Sequence, residues 1–346
     1  MASPETCFLP RLPQELVDHI IDHLNDDLVS LRKCALVCQA WLPASRYHLF
    51  AKVSLKATSP QQEPSLLQER CKRLHGVLVR SPEIICNIRE VEICEGSPLH
   101  HPYPDAQCST TWVTTERTLM AFFRMLTHVR RFDFSATSSL YWMLLPPTFQ
   151  AALYTLLSLP TLTYIRLHSW MFPNFDALNF LLSHCQNLKG LALSSTTVCT
   201  DGSPPDDQEK DKDETFSSER TYLEVLTLDF LSFTYLDYWL LGRNALINVQ
   251  ALRELRVAHF HDAIIVDKLL SAIGSSLEHF HLKPGSWNGI FNPQHNHWIS
   301  YKRWSLSVHI RSVSQLQSTL HKADPWQPGH RHVVGNHPPC VDHGEQ

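Results

Sequence analysis

Between residues 88 and 282 the chain repeats one short phrase, apolar-x-x-apolar-x-apolar. It reads IREVEI at 88–93, VRRFDF at 129–134, LTYIRL at 162–167, LKGLAL at 188–193, LEVLTL at 223–228, LRELRV at 252–257 and LEHFHL at 277–282. The closing apolar-x-apolar has the period of a β-strand that buries one face. Successive phrases start 25 to 41 residues apart. The stretches between them carry helical spacing: Phe149, Ala152, Leu153, Leu156 and Leu157; Leu178, Leu181, Leu182 and Cys185; Val266, Leu269, Leu270 and Ile273. Each unit therefore reads helix, turn, short strand.

This alternation predicts an α/β fold. Units of this kind stack as a right-handed horseshoe with a parallel sheet on its concave side, and they also build an ordinary doubly wound sheet. The shortest spacings match leucine-rich-repeat periods, and the longer ones leave room for insertions. The segment resembles the irregular leucine-rich domains, and that resemblance implies a solenoid over residues 54–320. In each phrase the intervening residues would project from the concave face. One stripe reads Glu92, Asp133, Arg166, Ala192, Thr227, Arg256 and His281, flanked by Tyr164, Lys189, Glu224, Arg253, Glu254 and His279. Its mixed charge suits a protein or peptide better than a nucleic-acid backbone. From it, Tyr164, Arg166, Lys189, Glu224, Arg253, Arg256, His279 and His281 are the candidate substrate-binding residues.

Upstream lies LPQELVDHIIDHLNDDLVSLRKCALVCQAWLPASRYHLFAKV, residues 12–53. Pro13 suits the start of a helix. Leu16, Ile20, Ile21 and Leu24 then share a face, and Asn25-Asp26-Asp27 offers an N-cap for a second helix. Leu31, Cys34, Ala35, Cys38 and Trp41 form the second stripe, widened by Leu36 and Val37. Pro43 opens a third helix carrying Tyr47, Leu49 and Phe50. A helix apolar around most of its circumference needs cover on several sides. The following domain or an outside partner supplies it.

The order Leu12-Pro13-Gln14-Glu15-Leu16, Ile20-Ile21 with Leu24, Leu31 through Trp41, and Arg46 with Leu49-Phe50 resembles an F-box. The phrase CALVCQAWLPASRYHLF is similar to F-box proteins of mushroom-forming fungi. The resemblance implies docking to a Skp-type adaptor of a cullin–RING ubiquitin ligase, through Leu12, Pro13, Leu16, Ile20, Leu31, Val37, Cys38 and Trp41. It implies a protein substrate held on the repeat domain and no catalysis by the chain itself. The alternative is a leucine-rich scaffold whose helices only cap the array.

The bulk composition narrows the partners. A net charge of −4 argues against binding nucleic acid or an anionic membrane through bulk charge. There is no run of about 18 apolar residues that would read as a membrane span. The first residues, MASPETCFLP, do not read as a signal peptide, and the 10 cysteines contain no C-x-x-C pair. A reducing cytoplasmic or nuclear setting is expected.

Other segments have their own expectations. Residues 1–11 and the His/Pro-rich 321–346 are expected to be disordered. Residues 201–219, DGSPPDDQEKDKDETFSSE, read as a mobile acidic insertion or a site for a basic partner. Ser65 with Gln68 fits a capping box opening a helix with Leu67, Cys71, Leu74 and Leu78 as its stripe. Residues 304–308 read as a last strand. His330, His332, His337, Cys340 and His343 are metal-capable but fit no compact zinc spacing, and His295 and His297 are weaker still. No phosphate-binding glycine loop or nucleophile motif occurs, so no cofactor and no catalytic residue is expected.

Overall fold

The computed structural model describes residues 12–56, 64–95, 112–199, 221–233, 236–242, 245–260, 263–273, 276–284, 291–292, 297–298 and 306–309. The segments expected to be disordered or mobile, 1–11, 201–219 and 321–346, lie outside them.

Three short helices come first: α1 (Gln14–Asp22), α2 (Leu28–Cys34) and α3 (Leu42–Leu49). Pro13 is the N-cap of α1. Asp27 caps α2, accepting from the backbone N–H groups of Val29 at 3.1 Å and Ser30 at 3.0 Å. These bonds, with the Ser30 hydroxyl first, hold its carboxyl below the usual carboxylate value. The helices share a small core of Val17, Ile21, Leu31 and Cys34, with Leu24, Trp41, Ala44 and Leu49 packed against it.

Two details depart from expectation. The buried face of α1 runs through Val17 and Ile21, leaving Leu16 and Ile20 exposed. The second helix ends at Cys34 instead of continuing to Trp41. Its last bonds tighten, with the N–H groups of Leu36 and Val37 donating to Lys33 and Cys34, three residues back. Cys38, a residue of the expected second stripe and a candidate adaptor contact, is exposed.

The chain then runs through β1 (Lys52–Leu55), α4 (Pro64–Arg80), a 3-10 turn at Pro82–Asn87, β2 (Glu90–Glu95), α5 (Trp112–Thr115), α6 (Arg117–Met125), β3 (Arg131–Tyr141), a 3-10 turn at Trp142–Leu144, α7 (Pro147–Leu157) and β4 (Tyr164–Phe172). Next come α8 (Phe175–Ser183), β5 (Gly190–Ser194), β6 (Thr197–Val198), β7 (Thr221–Tyr222), β8 (Val225–Asp229), β9 (Ser232–Phe233), α9 (Leu236–Leu241) and β10 (Ile247–Asn248). The described chain closes with β11 (Glu254–Phe260), α10 (Ala263–Ile273), β12 (His279–Pro284), β13 (Phe291–Asn292), β14 (His297–Trp298) and β15 (Leu306–His309). Since α4 starts at Pro64, Ser65 lies inside its first turn and not at the cap.

The sheet runs β1-β2-β3-β4-β5-β8-β11-β12-β15. All neighbours up to β12 are parallel, and β15 closes the sheet antiparallel to β12. Strand order follows chain order, so crossovers of one hand place the helices on one face. The molecule is mixed α/β with a mostly parallel sheet.

Every phrase enters in the same register. Val53, Val91, Phe132, Ile165, Leu191, Leu226, Leu255 and Phe280 pair in one row. Leu55, Ile93, Phe134, Leu167, Leu193, Leu228, Val257 and Leu282 form the next inward row. These rows meet the inner faces of the helices, including Leu67, Cys71 and Leu78 of α4, the expected stripe of α7, and Leu269 and Leu270 of α10. Aromatic rings concentrate where β3 and β4 face α6 and α7: Phe134 lies 5.0 Å from Trp170 and 6.3 Å from Phe149, centroid to centroid. Burial pushes the Cys71 and Cys185 thiols up to about 12, which suits their place as small apolar side chains.

Candidate interaction surfaces

The helical unit has covered its own core and still exposes large apolar side chains. Just before and on α1 these are Leu12, Leu16 and Ile20; beyond α2 they are Leu36 at 87% and Val37 at 61% exposed. Gln14 Nε2 donates to the carbonyl of Ala40 at 2.9 Å, fixing the start of α1 against the turn between α2 and α3. Clustered exposed apolar residues mark an interaction surface. Of the candidate adaptor contacts, Leu12, Pro13, Leu16, Ile20, Val37 and Cys38 are exposed, and Trp41 is half-buried. Leu31 is a correction. It is fully buried among Val17, Ile21 and Cys34, so it supports the patch from beneath.

The helical unit is joined firmly to the sheet. The backbone N–H groups of Arg89 and Glu90 both donate to the carbonyl of Ala51, each at 2.9 Å. The Arg89 guanidinium sits 4.7 Å from the centroid of the Tyr47 ring, and Arg46 pairs with Glu83 at 3.3 Å. Phe50 packs on the core under the sheet, whereas Leu49 belongs to the helical core.

The sheet face turned away from the helices is the second surface. Ser54, Glu92, Asp133, Arg166, Ala192, Thr227, Arg256, His281 and Ser307 pair in one register row, which contains the whole expected stripe. Tyr164, Glu254 and His279 occupy the row two residues earlier. Lys189, Glu224 and Arg253 do not join these rows. They sit one residue before β5, β8 and β11, at the amino-terminal edge, where Lys189 Nζ meets Glu224 Oε1 at 3.0 Å.

Most charges on this face are paired. Glu92 accepts from Lys56 at 3.0 Å and Ser54 at 3.1 Å, with Lys52 at 3.4 Å. Burial raises its carboxyl pKa, but these partners outweigh burial and leave it below the usual value. Asp133 lies 3.6 Å from Arg166. There burial dominates and raises the carboxyl, against the pull of Arg166 and with the repulsion of Glu92. Glu254 meets Arg256, with His281 at 3.9 Å. The Arg131 guanidinium covers the Tyr164 ring at 4.2 Å, and that ring crosses Gly190 so closely that a Cβ there would sit 2.4 Å from Tyr164 Cδ2.

A polar cluster at the carboxyl ends of the strands lies beyond the six-residue phrases and was missed by sequence reasoning. Asp229 accepts from Ser194 Oγ at 3.1 Å, and its other oxygen meets His259 Nδ1 at 2.8 Å. The carboxylate stands between serine and imidazole, so the imidazole is not placed to take a proton from this serine. His168 lies beside Ser194 in the same row. Burial first, then Arg166, lowers its pKa against the opposing charges of Asp229 and Asp133. One residue further, Ser169, Ser195, Phe230 and His259 occupy the same step of four neighbouring strands with φ between 49° and 59°. A left-handed non-glycine residue is uncommon, and four in register re-aim the ends of these strands together.

Among the described residues no group of three or more His, Cys, Asp or Glu side chains is placed to hold a metal. His295, His330, His332, His337, Cys340 and His343 lie outside the described residues, and His297 falls in β14. No helix among the described residues is long and apolar enough to cross a membrane. No protein-family model matches the chain, and no curated protein matches it.

Proposed function

We propose that this chain is the substrate-recognition subunit of a Skp–cullin–F-box ubiquitin ligase. Residues 12–53 are its F-box, and residues 54–320 are a leucine-rich-repeat-like solenoid that holds a protein substrate. The observation that carries the reading is the exposed apolar patch of Leu12, Leu16, Ile20, Leu36 and Val37 on a unit whose own core is already closed. A cap serving only this sheet would turn such residues toward it. The chain would perform no bond chemistry. It would raise the local concentration of a bound protein beside a ubiquitin-charged enzyme, in the cytoplasm or nucleus.

Capture by a purified Skp-type adaptor tests this. The wild-type chain should bind, and Leu16→Asp or Val37→Asp should abolish binding, because each sets a charge into the proposed interface. Both positions are exposed in the free chain, so both variants should stay folded. A folded wild-type chain that fails to bind the adaptor sinks the proposal in favour of a leucine-rich scaffold.

A further inference from the structure

We propose that His19 and His23 of α1 form a binding site for a divalent transition-metal ion of the zinc class. Their Nε2 atoms lie 3.3 Å apart, and the rings meet edge to face with centroids 4.6 Å apart. Two Zn–N bonds of about 2.0–2.1 Å at the tetrahedral angle set their nitrogens about 3.3–3.4 Å apart. The i, i+4 spacing is the one that brings two imidazoles to a single ion from one helix face. Each ring has to turn by roughly 35° for its lone pair to meet the ion at that angle. Both side chains are exposed, so no core packing opposes the turn. In the neutral pair one Nε2 donates to the other. On coordination the donor carries its proton on Nδ1 instead, through exchange with water, and no net proton is released.

The surroundings favour a cation. From Gln14 to Asp27 the chain carries Glu15, Asp18, Asp22, Asp26 and Asp27 and no Lys or Arg. His23 is the C-cap of α1 and His19 lies in its last turn, where the unsatisfied carbonyls place the negative end of the helix dipole. Asp22 is engaged by His48 Nε2 at 2.7 Å, so it contributes its field and not a bond. The protein supplies two donors, and water takes the remaining positions, so the ion is held reversibly. Nitrogen donors select zinc over magnesium and calcium, which take oxygen.

The consequence for docking rests on the F-box reading; the metal site itself does not. His19 and His23 follow Leu16 by three and seven residues, so at about 3.6 residues per turn they share the exposed face of Leu12, Leu16 and Ile20. A hydrated dication there adds charge that an apolar partner surface must desolvate. The bound ion therefore opposes adaptor capture.

Diethylpyrocarbonate labelling of the full chain, read by mass spectrometry on the peptide that carries both residues, tests this site apart from the other histidines. Zn2+ should protect His19 and His23 together, and Mg2+ should protect neither. His19→Asn should shift protection of His23 to about a hundredfold more Zn2+, because the second donor no longer binds as an intramolecular event. Without metal the melting temperature of this variant should match wild type, since the position is exposed. No protection by Zn2+, or protection of His23 that survives His19→Asn at the same concentration, overturns the site. Zn2+ at the protecting concentration should also weaken adaptor capture by the wild-type chain and not by His19→Asn; equal wild-type capture with and without the ion overturns the antagonism. Failure of the metal-free wild-type chain to capture the adaptor strikes the proposed function and leaves the labelling result to decide the site.

Discussion

The guanidinium of Arg89, at the mouth of β2, lies 4.7 Å from the centroid of the Tyr47 ring in α3. This contact, with the paired backbone bonds to the Ala51 carbonyl, sets the angle at which the helical unit leaves the sheet.

Removing either partner should loosen that angle at small cost to stability. A cation–π pair at a partly exposed site is worth about 0.5–1 kcal/mol. The double-mutant cycle of Tyr47→Ala and Arg89→Ala should return a coupling of that size in chemical denaturation. A coupling indistinguishable from zero would show that the backbone bonds at Ala51 hold the junction alone.

Leu16 and Leu31 should separate binding from folding. Leu16 is 50% exposed and Leu31 is fully buried. Leu16→Asp should leave the far-ultraviolet circular dichroism and melting temperature unchanged. Leu31→Asp places a charge in a core of four buried residues and should melt the helical unit. Equal stability of the two variants would contradict the burial assigned to Leu31.

Such pairs show where the sequence is legible. Leu167 and Leu193 mark their strands because alternation with a buried face is written in residue type, and the register follows from identical phrases. Ile20 was placed with Ile21 because both are apolar, but a narrow helix covered by two short neighbours buries only one of them. The early end of α2 has no breaker to announce it. Leu36 and Val37 left the choice between intrachain cover and an outside partner open, because a docking patch and a core use the same residues. Ser169 and Ser195 carry no mark of a left-handed backbone, and Asp229 lies outside the phrase that made the rest visible.

Stability should report the left-handed ladder directly. Ser195 has φ 49° and is not glycine. An L-residue pays about 1–2 kcal/mol there, part of which glycine gives back through its looser unfolded chain. Ser195→Gly should therefore raise unfolding stability by several tenths of a kcal/mol or more, and Ser195→Val should lower it. A stabilising Ser195→Val would mean that the backbone there is not left-handed.

In the aromatic core, Phe134→Ala should cost about 3–5 kcal/mol, since the ring is fully buried and the site cannot collapse easily. Its neighbours Phe132, Phe149 and Trp170 are large rings already in contact with it. Urea denaturation measures the change; a loss below about 1 kcal/mol would show that the neighbouring rings refill the space.

Acid stability should depend on Glu92. Its carboxyl, ordinarily at 4.5, is lowered in the folded chain because Lys56, Lys52 and Ser54 outweigh burial. Below 4.5 the unfolded chain takes up the proton before the folded chain does. The contribution of this group is therefore complete above 4.5 and is lost as pH falls through the lower folded value. Glu92→Gln removes the titration, so the variant should be less stable near neutrality and lose less stability between neutral pH and about pH 3. Asp133 titrates in the opposite sense, because its raised carboxyl favours the folded state as pH falls. Asp133→Asn should consequently steepen the acid limb that Glu92→Gln makes shallower. Parallel acid limbs in the two variants would show that at least one of the two carboxyls does not carry the assigned shift.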